Sequence, residues 1–307
     1  MSVVPAQLGV RRVVACHCAL GEGLTWNPTR QAWFWLDIQA ARIWMHRPHD
    51  DRTHWWSLPD RAGAFVFAES GVAIVGLAKA LVRVDLDDER AGSPLDVTPL
   101  VAVEADVPHT RVNDGRTDRE GRFVFGTMNE GQDGAAVGHF YQYSSRFGLR
   151  RLPIPGVTIA NSLCFSPSGD TLYYCDSPRR VIMCGRYDSA AATVTDLTPF
   201  VHLPDGEGMP DGSVIDADGG LWNAVWAGGI VRRYTPGGQL SHVVTLPAPN
   251  VTCPAFGGPD DSVLRVTTAR AWMTDASVAT HPEAGDLFEV IGLEHVRGLT
   301  ERPLGGL

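Results

Sequence analysis

Residues 111–128 read Arg-Val-Asn-Asp-Gly-Arg-Thr-Asp-Arg-Glu-Gly-Arg-Phe-Val-Phe-Gly-Thr-Met. Polar side chains open the stretch, a glycine-containing turn interrupts it at residues 118–121, and an apolar run follows at 123–125. Such an order predicts a strand with Arg111, Asn113 and Asp114 at its start, then a turn, then a buried second strand. The pattern returns at residues 159–177, Ile-Ala-Asn-Ser-Leu-Cys-Phe-Ser-Pro-Ser-Gly-Asp-Thr-Leu-Tyr-Tyr-Cys-Asp-Ser, and again at 209–226, Met-Pro-Asp-Gly-Ser-Val-Ile-Asp-Ala-Asp-Gly-Gly-Leu-Trp-Asn-Ala-Val-Trp. The units starting at residues 111, 161 and 211 are spaced by 50 residues. A polar residue opens a strand at one place in each unit.

Working outward, strand-turn-strand units also start near Glu22, near Ala62 and near Cys253, the outer ones somewhat shorter. Repetition at a period of about 40–50 residues, with short strands and almost no helical periodicity, marks a β-propeller in which each repeat is one four-stranded blade. The expected architecture is all-β: a single domain over residues 1–307, built as a six-bladed propeller of four-stranded antiparallel blades around a central channel. A pair of packed β-sandwiches would leave the recurring polar positions unexplained. Open sheet edges invite aggregation, so residues 11–19 are expected to complete the last blade beside residues 286–299, with both chain termini meeting there.

The chain has 307 residues, 44% hydrophobic and 20% charged, ordinary values for a globular protein with ample core. Its net charge of −9 and lack of a basic block argue against nucleic acid as a partner. No apolar run is long enough to span a bilayer and residues 1–12 lack a signal-peptide core, so no membrane partner and a cytoplasmic location are expected. The cysteines at 16, 18, 164, 175, 184 and 253 form no Cys-x-x-Cys pair and read as buried free thiols.

In a propeller the first strand of each blade faces the channel, so equivalent residues converge on one axis. Glu22, Asn161 and Asp211 hold that place in units one, four and five. Two carboxylates and an amide are hard oxygen donors for one divalent cation: calcium, magnesium or manganese, with zinc and iron(II) also in the candidate set. Three protein ligands leave the coordination sphere open, as Lewis-acid chemistry requires. Asn161 and Asp211 could instead serve Asx turns beside Ser162 and Gly212.

Several of these stretches resemble the regucalcin (senescence marker protein)/gluconolactonase family. Residues 20–26, Leu-Gly-Glu-Gly-Leu-Thr-Trp, with Trp35-Leu36-Asp37-Ile38, are similar to its opening motif. Residues 111–115 with Gly126-Thr127-Met128, Asn161-Ser162-Leu163 with 172–177, Pro210-Asp211-Gly212 with Gly220-Leu221-Trp222, and 253–260 resemble the motifs that follow, in the same order. The resemblance implies a six-bladed propeller that binds a divalent metal and, in most branches, hydrolyses sugar lactones. It places Glu22, Asn161 and Asp211 on the metal ligands, and Arg111 and Asn113 on residues that hold substrate oxygens. Animal members carry a glutamate where this chain has Gly131; Glu130, one position earlier, is the substrate-binding candidate in its stead. Ala160 stands where serine is usual.

On that reading the metal polarises a lactone carbonyl, Asp211 serves as general base, and Arg111 and Asn113 orient the ring. No Gly-x-Ser-x-Gly elbow is present, which argues against a serine hydrolase. Among the histidines only His109 falls near the proposed site. Trp55, Trp56 and Trp226 could stack on a sugar or pack between blades. Two rivals remain: a non-catalytic calcium-binding or interaction propeller, and a lactonase for acyl lactones or organophosphates. A polar channel mouth would favour a sugar and an apolar lid the non-sugar substrates.

Overall fold

The computed structural model describes residues 6–86 and 92–306. After a first strand, β1 (Ala6–Val14), the chain lays down four antiparallel sheets of four strands each. The first holds β2 (Gly21–Asn27), β3 (Ala32–Asp37), β4 (Arg42–Arg47) and β5 (Arg52–Ser57). The second holds β6 (Ala62–Phe67), β7 (Ala73–Leu77), β8 (Ala80–Val84) and β9 (Val97–Ala102). β10 (Thr110–Thr117), β11 (Phe123–Asn129), β12 (Phe140–Ser144) and β13 (Gly148–Arg151) make the third. β14 (Ala160–Phe165), β15 (Thr171–Asp176), β16 (Val181–Asp188) and β17 (Thr193–His202) make the fourth.

The remaining strands form one sheet of eight where two separate sheets of four are expected. β18 (Met209–Ile215), β19 (Leu221–Trp226), β20 (Ile230–Tyr234) and β21 (Leu240–Thr245) lie in sequence order. β1 comes next, then β24 (Leu287–Ile291), β23 (Val263–Ala269) and β22 (Asn250–Gly257). The join is short and parallel: only Ala6, Gln7 and Leu8 pair with His242, Val243 and Val244 of β21. From Gly9 to Val14, β1 instead runs antiparallel to β24. The N-terminal strand therefore does complete the last group, but it lies earlier than residues 11–19. Residues 15–19 are a connection from β1 to β2. One short α-helix, α1 (Asp275–Thr280), and a 3-10 turn at Ser177–Arg179 are the helical elements among the described residues.

First strands of successive groups touch in a closed cycle: β2, β6, β10, β14, β18, β22 and back to β2. Small residues permit this approach. A Cβ on Gly63 of β6 would lie 2.0 Å from the Val112 carbonyl oxygen of β10. Apolar side chains of β2 and β3, such as Trp33, Trp35 and Leu36, are fully buried and fill the space between neighbouring sheets. Tight turns are closed by acidic side chains. Asp118 Oδ1 accepts the N–H groups of Glu120 and Arg122, both at 2.9 Å, and Asp216 Oδ1 accepts those of Asp218 and Gly220.

The C-terminal segment does not meet the N-terminus in the last group. It crosses to the second sheet, where the Leu304 N–H donates to the Phe67 carbonyl at 2.7 Å and the Leu304 side chain is fully buried beside Ala68 and Val72. On the way Glu301 accepts from the Arg116 guanidinium at 2.8 Å, near the end of β10. All six cysteines are free; Cys16 and Cys184 are only half-buried, whereas the other four are buried as expected.

Candidate active site

The first strand of each four-strand group, β2, β6, β10, β14, β18 and β22, breaks register at one equivalent point. The slips fall between Glu22 and Thr25, Ala62 and Ala64, Val112 and Asp114, Asn161 and Cys164, Pro210 and Ser213, and Val251 and Pro254. A β-bulge bends its strand and re-aims a side chain. Here it occurs where Glu22, Asn113, Asn161 and Asp211 sit. Gly23 and Ser162, each just after a candidate ligand, adopt left-handed φ values of 60° and 58°. Glycine takes that conformation freely, which is the local reason for Glu22-Gly23. The approach to two of these strands is fixed by carboxylates on the neighbouring strand. Asp37 accepts the Ala19 and Leu20 N–H groups at 2.9 and 3.1 Å, and Asp176 accepts those of Thr158 and Ile159, both at 3.0 Å.

Glu22, Arg111, Asn113, Asn161 and Asp211 all line one cavity of about 260 Å³. Its other lining residues are Ser177 and the apolar Leu20, Met128, Ile159, Met209, Trp226 and Trp272. Glu130 is not among them. It ion-pairs with Arg61 at 2.5 Å and accepts from Arg111 Nε at 3.1 Å, so it stands behind Arg111. His109 also lies outside the lining, and its carbonyl accepts the Glu130 N–H. Trp56 is buried, Trp55 packs against the Arg42 guanidinium, and Trp226 alone of the three tryptophans reaches the cavity.

The polar residues form a single donor chain across three sheets. Arg111 donates to Asn113 Oδ1 at 2.8 Å, Asn113 Nδ2 to Asn161 Oδ1 at 3.0 Å, and Asn161 Nδ2 to Ser177 Oγ at 2.9 Å. Ser177 Oγ then donates to the Pro210 carbonyl at 2.8 Å, next to Asp211. Every bond points the same way, so each polarises the next. The Asn161 side chain is thus held by the side chains of Asn113 and Ser177 and not by an Asx turn. Ser177, in the 3-10 turn after β15, was not singled out from the sequence, and Asp114 was read there only as one of the polar residues opening its strand. The Ser177 hydroxyl orients Asn161, and Asp114 lies buried with Oδ2 accepting the Leu163 N–H at 2.9 Å.

The donor set suits a divalent cation. Glu22 and Asp211 are both buried, and neither has a salt-bridge partner among the described residues. Burial, with the Asp114 carboxylate adding to it, pushes Glu22 up to about 8. Burial, then Glu22 and Asp114, also pushes Asp211 well above the usual carboxylate range. Two buried acids without a side-chain cation beside them form a donor set whose charge a divalent cation would offset. No group of three or more His, Cys, Asp or Glu side chains gathers to hold a metal among the described residues, since this set has two carboxylates and a carboxamide. Burial lowers the Arg111 guanidinium and the Glu130 carboxylate opposes that shift.

The sequence and the fold match a known group. The family described as SMP-30/Gluconolactonase/LRE-like region matches residues 20–270, and the chain belongs to it. It is 41% identical over 271 residues to an L-arabinolactonase of Azospirillum brasilense, covering 88% of this chain and 87% of that one. A pentonolactonase of Haloferax volcanii is 32% identical over 260 residues, covering 85% of each chain. The crystal structure of a calcium-binding protein, regucalcin, from Agrobacterium tumefaciens superposes with a TM-score of 0.90 at 29% identity, covering 99% of both chains.

Proposed function

We propose that this protein hydrolyses a sugar lactone to the aldonic acid, using one divalent cation held by Glu22, Asn161 and Asp211. We read the molecule as one domain over residues 1–307, a six-bladed propeller in which the eight-stranded sheet is two blades joined at the short parallel contact of β1 with β21. The closed cycle of channel-facing strands supports that reading. The observation that carries the function is the convergence of those three oxygen donors with Arg111 and Asn113 on one cavity. Its volume, below the ~300–1,000 Å³ of drug-sized sites, suits one small ring.

When bound, the cation would act as a Lewis acid on the lactone carbonyl. Arg111 and Asn113 hold the ring's oxygens, and Glu130 and Arg61 hold Arg111. Asp211 takes a proton from the attacking water as its oxygen bonds to the carbonyl carbon. The ring C–O bond then breaks, and the proton passes to the departing oxygen as its hydroxyl. A reducing, cytoplasmic setting suits six free cysteines, and the charge of −9 gives no reason to expect nucleic acid. Among the described residues no helix is long and apolar enough to cross a membrane. A second reading, calcium binding without catalysis, draws on the likeness to the calcium-binding regucalcin of Agrobacterium tumefaciens.

The test is calorimetric titration of calcium and manganese after chelation, paired with pH-stat hydrolysis of pentono- and hexonolactones. Asp211→Asn keeps an oxygen ligand but removes a charge and the base, so turnover should fall much further than metal affinity. Asn161→Ala should lose mainly affinity. Unaltered metal titrations in both variants place the cation elsewhere, and tight metal binding without any lactone turnover selects the calcium-binding reading.

A further inference from the structure

Three of the candidate ligands have an apolar residue two positions before them: Leu20 before Glu22, Ile159 before Asn161, Met209 before Asp211. Residues i and i+2 of a strand share a face. All six line the cavity, so the polar donors lie one strand step inside a layer of aliphatic and thioether side chains. Trp226 and Trp272 add to that layer, packed nearly perpendicular at 71° with centroids 5.6 Å apart.

Trp272 is unusual twice over. It is 75% exposed, the most of any large apolar side chain among the described residues. Its φ is 59°, a left-handed conformation that a bulky side chain rarely adopts and that persists only where the surroundings impose it. Both neighbours are pinned. The Ala271 N–H donates to the Ala19 carbonyl at 2.7 Å, Asn250 Nδ2 to the Ala271 carbonyl at 3.0 Å, and the Met273 N–H to the Arg270 carbonyl at 3.1 Å. Arg270 is itself held by the carbonyls of Ala284 and Pro282. A fixed turn therefore holds an uncovered indole against the cavity.

We infer that Trp272, backed by Trp226, is a specificity residue. It contacts the C–H face of a neutral lactone ring whose oxygens are turned to Arg111 and Asn113, and it rejects a ring that would bring an ionised group against that layer. This rests on the lactone reading and names the substrate class within it. An indole recovers contact area by covering such a face, whereas a buried unpaired charge there is costly. The contact is made to substrate and transition state alike, so it acts on KM rather than kcat.

The experiment compares wild type with Trp272→Ala, Trp272→Phe and, as a surface control away from the cavity, Phe147→Ala. Trp272→Ala should raise KM for neutral aldonolactones roughly 3- to 30-fold, with kcat within about twofold and Tm unchanged. Phe should restore most of the loss, and Phe147→Ala should behave as wild type. The wild-type preference for a neutral lactone over the same ring with an exocyclic carboxylate should shrink in Trp272→Ala. An unchanged KM, or a loss confined to kcat, overturns the assignment. If wild type hydrolyses no lactone, the proposed function fails separately. Tryptophan fluorescence then decides this point: aldonolactone quenching in wild type but not in Trp272→Phe supports the contact, and no quenching in wild type rejects it.

Discussion

At the scale of single residues, Arg111 and Glu130 divide one task. Arg111 is buried and directs its donors to Asn113 and the Val112 carbonyl, while the exposed Glu130 clamps it from behind. Arg111→Ala should lower kcat/KM for a lactone about 10- to 1,000-fold with metal binding nearly intact. The range follows from losing a charge-assisted contact of roughly 1.5–3 kcal/mol, somewhat more in a dry site. Glu130→Gln keeps the shape and weakens only the clamp, so a smaller loss, mostly in KM, is expected. Equal activity in the Arg111 variant would remove it from the site. Glu22, Asn161 and Asp211 were visible in the sequence because each repeats one polar position at a strand start. Ser177 was not, since it reaches Asn161 only through the pairing of β14 with β15 that sets Asn161 opposite Cys175. Trp272 lies in the connection after β23, outside the repeating strands, and no period marks it.

At the scale of elements, alternation and turn residues revealed most strands, because they are short and many are followed closely by glycine, proline, aspartate or serine. The bulges were hidden, since a slip of two residues against one depends on the partner strand as much as on the slipping one. β1 was misplaced for a related reason: residues 15–20 continue an apolar run, yet Asp37 claims the N–H groups of Ala19 and Leu20 and draws this segment out of the strand. β4 carries a titration of its own. His46 is buried with Nδ1 2.9 Å from Thr53 Oγ1, and burial, then the Arg265 guanidinium, lowers it to about 4 from its ordinary 6.5. The native state then binds fewer protons than the unfolded chain between those values. This contribution is complete above pH 6.5 and is lost as pH falls toward 4, at up to ~1.4 kcal/mol per pH unit. Urea melts at pH 7 and pH 5 should show a steeper acid loss in wild type than in His46→Gln. Parallel losses would mean that His46 is not the group responsible.

At the scale of the molecule, the repeat spacing pointed to six units, and the sequence could not show that β1 would bridge two of them. That bridge is made by backbone bonds from a strand whose two halves pair with different partners, β21 in parallel and β24 antiparallel. Deleting residues 1–14 should leave both edges open, lower the apparent Tm by several degrees and raise light scattering on warming. An unchanged melt would show that the contacts among channel-facing strands close the ring unaided. The same bridge has a consequence in time. β1 leaves the ribosome before its antiparallel partner β24, which lies more than 250 residues later in the chain. At about 5–20 residues per second, synthesis leaves β1 without that partner for roughly 15 to 55 s. The contacts that shut the ring are also among the longest in sequence separation, which slows the step that makes them. A nascent chain of this protein therefore holds one edge of β1 unpaired until β24 has been made.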